Sequence, residues 1–145
     1  MTAATATKQS LTIKRRFNAP PAKVFAAWTD AKIIARWFGP EGVERVEATT
    51  DLRVAGAYHI TMQVPGDQHD VFGVYREIVP NERLVFTWAW KSTPERESLV
   101  TVTFKPDGTG TMMTLLHEHF YDADARDRHQ HGWSGAIDKL ETLMA

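Results

Sequence analysis

The chain contains no cysteine, which removes disulfides, thiol nucleophiles, thiolate zinc sites and iron–sulfur clusters from consideration. It also lacks any apolar run approaching a membrane span. Its first ten residues, MTAATATKQS, contain nothing like the apolar run of about seven residues that a signal peptide requires. A cytoplasmic protein is expected, with residues 1–9 frayed. Neither sign of charge dominates: 17 Lys and Arg stand against 18 Asp and Glu, a formal net charge of −1. The basic residues are scattered, so no electrostatic footprint marks a nucleic acid or an anionic membrane as partner. There is no Gly-x-Ser-x-Gly elbow and no phosphate-cradling glycine loop; Gly108-Thr-Gly110 reads as a hairpin turn. Glu44, Glu47, Asp51, Asp70 and Glu118 supply carboxylates, but no spacing pairs two of them.

What is present describes one ordinary domain: 145 residues, 24% of them charged, enough to bury a core. The longest regular stretch is Asp122 to Ala145. Ala125, His129, Gly132, Trp133, Ala136, Ile137, Leu140, Leu143 and Met144 recur at three-four spacing and place one stripe on one side of a helix. Asp122 or Asp124 can cap its start, and Asp124 stands four residues before Arg128. A mid-helix glycine costs on the order of 1 kcal/mol relative to alanine, so Gly132 and Gly135 beside Trp133 need a reason. Either the small residues let a neighbouring element pack close to the helix axis, or they leave room for a ligand.

Upstream, Leu11, Ile13 and Phe17 alternate with polar residues as in a half-buried strand. Asn18 can cap a short helix carrying Val24, Phe25 and Trp28, with prolines tolerated in its first turn. A second helix starts at Asp30, carries Ile33, Ile34, Trp37 and Phe38, and stops at Gly39-Pro40. Strands are then expected over Val43–Asp51, Ala57–Val64, Val71–Val79, Arg83–Lys91, Ser98–Lys105 and Gly110–Tyr121. Pro65-Gly66-Asp67, Pro80-Asn81, Ser92–Glu97 and Pro106-Asp107-Gly108 supply the turns, whose short links make successive strands antiparallel. The fold class is α+β, with helices gathered on one face of an antiparallel sheet.

Four motifs resemble one family. Asp30-x(6)-Trp37-Phe38-Gly39-Pro40, Asp51-Leu-Arg-Val-Ala-Gly56, Gly73-Val-Tyr-Arg-Glu77-Ile-Val-Pro80-x(2)-Arg83-Leu-Val-Phe-Thr87-Trp88 and His131-Gly132-Trp133 are similar, in this order, to the Aha-type proteins. These resemble the C-terminal domain of the activator of the heat-shock-protein-90 ATPase, within the SRPBCC (START and Bet v-like) superfamily. The resemblance covers roughly Leu11 to Leu143; Val54-Ala55-Gly56 stands where the family usually has a Pro-Gly-Gly-like bend. It implies a helix-grip fold, a curved seven-stranded antiparallel sheet wrapped around the C-terminal helix, in a single domain over residues 1–145.

Members of that superfamily, carriers, binders and enzymes alike, share a cavity between sheet and helix; the function expected here is binding of a small, largely apolar molecule, aromatic or lipid-like, without catalysis. Candidate lining residues are Trp37, Phe38, Met62, Phe72, Phe86, Trp88, Trp90, Met113, Leu115, His117, Trp133 and Ile137. Leu84, Phe86, Trp88 and Trp90 share a strand face by the period of two, as do Met113, Leu115, His117 and His119. A planar ring is expected to enter between Trp133 and Trp88, with His117 or Thr114 supplying a hydrogen bond. His117 and His119 would lie on one face about 7 Å apart, within reach of one metal, but a third ligand is missing, so neither metal nor cofactor is expected. His117 matches a His that the family often carries on this strand. Two alternatives stay open: a pocket enzyme of cyclase or hydrolase type using His117, and a module acting on the chaperone ATPase. The latter is disfavoured because the family's activators carry a further N-terminal domain. Edge strands and apolar residues near Trp37-Phe38 make a homodimer plausible.

Overall fold

Punctuation in the sequence falls close to where the elements end. The structure, a computed structural model, describes residues 9–145. Of the stretch expected to fray, residues 1–8 lie outside the described range, while Gln9 already belongs to β1 (Gln9–Phe17). There follow α1 (Pro21–Thr29), α2 (Ala31–Trp37), β2 (Arg45–Thr50), β3 (Ala57–Val64), β4 (Asp67–Val79), β5 (Arg83–Trp90), β6 (Ser98–Asp107), β7 (Gly110–Phe120) and α3 (Ala123–Met144). The seven strands form one sheet in the order β1-β7-β6-β5-β4-β3-β2, antiparallel throughout. The first strand thus pairs with the last, and α1 and α2 carry the chain from one edge of the sheet to the other. This is the α+β architecture expected from the residues, and the helix-grip that the family resemblance implies.

Local chemistry explains most boundaries. Asp30 caps α2 through Lys32 N at 2.9 Å, and Asp122, rather than Asp124, caps α3 through Ala125 N at 2.8 Å. Asn18 does not cap α1: the N-cap position is Pro20, and the Asn18 side chain accepts instead from Arg16 at 2.7 Å. Asp124 and Arg128 form no ion pair within 4.0 Å; Arg126 is the engaged arginine, bonded to Asp127 at 3.0 Å and Gln9 at 2.6 Å. β4 begins at Asp67, before the expected Val71, because Val64 and Asp67 pair directly across Pro65-Gly66 and the polar run continues the ladder. Likewise β6 reaches Asp107, which pairs with Gly110 across a two-residue turn. In the bend of the Val54-Ala55-Gly56 segment, Ala55 takes a positive φ of 70°.

The core lies between the inner face of the sheet and the helices. Ile60, Val71, Val100, Val102, Met113 and Leu115 meet Trp133, Ile137 and Leu140, all buried. Full burial of one such aliphatic side chain contributes about 1.5–3 kcal/mol. The C-terminal half of α3 is held by Lys139, whose Nζ donates to the Phe38 and Pro40 carbonyls at 3.4 Å, and by Arg15, paired with Asp138 at 2.9 Å and Glu141 at 2.7 Å. Trp37 and Phe38 are 0% and 5% exposed, with the Trp37 indole bonded to Ala27 O at 2.9 Å. The apolar patch on which a dimer was expected is therefore absent at these residues.

Candidate functional site

One large cleft, of about 760 Å³, opens between α3 and the β3–β5 part of the sheet. On α3 its wall is Ala125, Arg128, His129, Gly132, Trp133 and Ala136, one helical face at successive steps of three and four residues, with His131 at its border. Opposite stand Trp88 and Trp90 of β5, Met62 of β3 and the polar start of β4. Phe38, Gly39 and Pro40 border it, and Lys91 to Thr93, Arg96 and Tyr121 form its rim.

The two glycines of α3 resolve differently. A Cβ on Gly132 would meet nothing within 4 Å, so this residue leaves cleft volume open. A Cβ on Gly135 would stand 3.2 Å from Glu41 N, so this residue admits the segment after α2 against the helix. Close packing thus accounts for Gly135, whereas Gly132 faces open space.

Behind the wall runs a chain of polar groups. An indole N–H can only donate, so the Trp133 Nε1–H bond to His117 Nδ1, 3.0 Å, makes Nδ1 an acceptor. The proton of His117 therefore sits on Nε2, which donates to Ser98 Oγ at 2.7 Å, and Ser98 in turn donates to Trp88 O at 3.2 Å. Burial, with a smaller contribution from nearby His129, pushes the His117 pKa well below its ordinary value. His129 is arranged the other way round. Its Nδ1–H donates to Ala125 O at 2.6 Å, while its Nε2 accepts from both Trp88 Nε1 at 3.2 Å and Trp90 Nε1 at 2.9 Å. Burial lowers the His129 pKa; the Ala125 carbonyl raises it and the charge of Arg128 lowers it. Both imidazoles are neutral at pH 7, and their ring centroids lie 5.1 Å apart.

Of the expected lining residues, the structure brings Phe38, Met62, Trp88, Trp90 and Trp133 together at the cleft. His117 is fully buried directly behind them, with both nitrogens engaged by protein groups, so it presents neither a lone pair nor a proton to the cleft. Trp37, Met113, Leu115 and Ile137 are core residues away from the cleft wall. Phe86 borders a separate void of about 20 Å³ with Tyr58, Tyr75 and Trp28. Phe72 is misassigned: Val71 and Tyr75 take the inner face of β4, which leaves Phe72 outside and 39% exposed. Thr114 alternates with the buried Met113 and Leu115 and is only half-buried, outside the cleft. Nor is there a slot between Trp133 and Trp88, whose centroids stand 5.1 Å apart; the two rings line the open volume without enclosing it between them.

His119 does not join His117. It has φ 70°, and the β1–β7 register slips there, Gln9 facing Phe120 and Ser10 facing Glu118. This bulge turns His119 outward and brings Phe120 in, 4.2 Å from His117 between ring centroids. Among the described residues no group of three His, Asp or Glu could hold a metal. His129, Arg128, Ser98 and Phe120 are site residues that the sequence reading did not select. The helical repeat from Gly132 and Trp133 back to His129 and Arg128 was the signal available.

The family described as activator of Hsp90 ATPase homolog 1-like protein matches residues 18–145. The chain belongs to this family. A comparison with curated proteins gave no match. Among solved structures, protein CV1439 from Chromobacterium violaceum is 27% identical with a TM-score of 0.83, over 93% of this chain and 96% of that one. A homolog-1-type protein from Silicibacter pomeroyi is 26% identical at a TM-score of 0.79, over 93% and 96%. CalU16 from Micromonospora echinospora is 27% identical at 0.73, over 95% of this chain and 77% of that one. The family is the one its four motifs resemble. No helix among the described residues is long and apolar enough to cross a membrane.

Proposed function

We propose that this member of the family binds a small, planar, largely aromatic molecule in the cleft between α3 and the sheet, without catalysing a reaction on it. The observation that carries the reading is Gly132, a mid-helix glycine whose missing side chain faces open cleft volume beside Trp133 rather than a packed neighbour. The cleft volume of about 760 Å³ is that of a small-molecule site, and its aromatic wall with a few polar groups is the usual lining of one. Apolar burial at about 25 cal/mol per Å² supports micromolar affinity after the costs of association. A reaction using His117 is disfavoured because both its nitrogens are occupied.

Titration with a varied panel of flat aromatic compounds should change tryptophan emission and raise the melting temperature, since a ligand of the native state stabilises it. Gly132→Leu should fill the volume and remove the response. The proposal is wrong if no compound shifts the parent protein, or if the Leu variant binds as the parent does. The family description favours a second reading, stimulation of a heat-shock-protein-90 ATPase. A steady-state ATPase assay with added chain decides it, a clear rise in rate supporting that role.

A further inference from the structure

The aromatic wall of the cleft carries a surplus of hydrogen-bond donors. His129 Nε2 is one acceptor with one lone pair, yet the indoles of Trp88 and Trp90 both donate to it. One N–H is more than that nitrogen can satisfy at full strength, and Trp90 is the half-exposed member of the pair, on the cleft wall. An oxygen placed in the cleft could accept from Trp90 while Trp88 keeps His129.

Positive charge stands on the same side. Arg128 precedes His129 on the cleft face of α3 and is exposed, with no carboxylate within 4.0 Å among the described residues. It is close enough for its charge to oppose protonation of His129. Across the rim Arg96 lies over the Tyr121 ring at 3.8 Å and 3.9 Å from the Glu95 carboxylate, which leaves Arg128 as the arginine of the cleft without an acidic partner among the described residues. The carboxylates of the rim have donors of their own: Asp70 accepts from Thr61 at 2.6 Å, His59 at 3.0 Å and Gln68 at 3.0 Å, and Asp67 from Gln68 N at 2.8 Å.

Resting on the reading of the cleft as an aromatic-binding site, we infer that its ligand is an aromatic acid, a planar ring system bearing one carboxylate, whose oxygens take the Trp90 indole N–H and the Arg128 guanidinium. The ring lies along the Trp133 and Trp88 edges, over the space left by Gly132. The carboxylate points toward the start of α3. Guanidinium binds carboxylate in a planar, bidentate fashion, and charge-assisted bonds are about twice as strong as neutral ones.

The test uses two probes of one shape, 2-naphthoate and its neutral amide 2-naphthamide, titrated calorimetrically into the protein at pH 7.5. The acid should bind at least about tenfold tighter, the ratio that one charge-assisted hydrogen bond supplies. Arg128→Gln should bring the acid to the level of the amide, and Trp90→Phe, which keeps a ring but removes the N–H, should cut the ratio severalfold. In NMR titrations 2-naphthoate should raise the His129 midpoint, by neutralising Arg128 and withdrawing one indole donor, while 2-naphthamide should not. If both probes bind equally, the acid is not recognised, though the cleft reading survives. If neither binds, both readings fall. A strong preference for the acid that persists in both variants would overturn the placement at Trp90 and Arg128.

Discussion

Replacing each glycine of α3 by alanine separates the two reasons for having them. At Gly132 the new methyl group meets nothing within 4 Å, so the helix gains alanine's propensity without a clash, about 1 kcal/mol. Unfolding entropy of about 2.1 cal/mol/K per residue gives roughly 0.3 kcal/mol/K for a chain of this length, so Gly132→Ala should raise Tm by about 3 °C. At Gly135 the same methyl stands 3.2 Å from the backbone nitrogen of Glu41 and 3.7 Å from its Cβ. That segment is tied to α3 by Lys139, so it cannot withdraw freely and the gain in propensity should be offset or reversed. Calorimetric scans of the parent and two variants read this directly. If Gly135→Ala stabilises as much as Gly132→Ala, then Gly135 is not a close-packing position, and if Gly132→Ala lowers Tm, then Gly132 is not an open one. A gain at Gly132 would mean that the native chain forgoes stability there, as sites held for binding often do.

The histidine pair makes stability depend on pH. Both imidazoles have lowered pKa values when folded, whereas the unfolded chain takes up protons near pH 6.5, so stability is full above about pH 7.5 and falls as pH drops through 6.5, by up to about 1.4 kcal/mol per pH unit for each imidazole. Urea midpoints at pH 7.5, 6.5 and 5.5 should decline, and less steeply in His129→Gln; a level profile would contradict the neutral pair. Trp133→Phe leaves His117 Nδ1 a buried acceptor without its donor, and urea unfolding should show a loss of about 1–3 kcal/mol. Leu140→Asp puts a charge at a fully buried position and should unfold the domain by circular dichroism; a melting temperature within about two degrees of the parent would show that the α3 stripe is not core.

The fold was legible because its signals are local and repeated. The Asp30 and Asp122 caps, the Gly39-Pro40 stop, the two-residue hairpins and the three-four stripe of α3 are each decided by neighbours in the chain. The cleft was legible only where alternation runs unbroken, as along Trp88 and Trp90. It failed at His119, because one residue in a left-handed conformation reverses every orientation after it, and His119 carries no glycine to advertise the bulge. It failed at Phe72 because Val71, Phe72 and Val74 are apolar on both sides of β4, so composition could not say which faces inward. The hydrogen bonds that fix the two imidazole tautomers join β5, β6, β7 and α3, and no sequence spacing encodes such a meeting.

The pairing of the first strand with the last has a consequence for how the chain is made. β1 leaves the ribosome before the other strands, yet its partner is β7, with Ser10 facing Glu118 across 108 positions of sequence. Strands β2 to β6 can zip as successive hairpins while synthesis continues, but β1 must wait, unpaired on that edge, until β7 has emerged. The slow step is then the closure of a very large loop, which long-range pairing makes costly in time. Premature termination before Gly110 would leave both β1 and β6 as open edges, so shortened chains should be held by chaperones or aggregate rather than persist as small folded fragments.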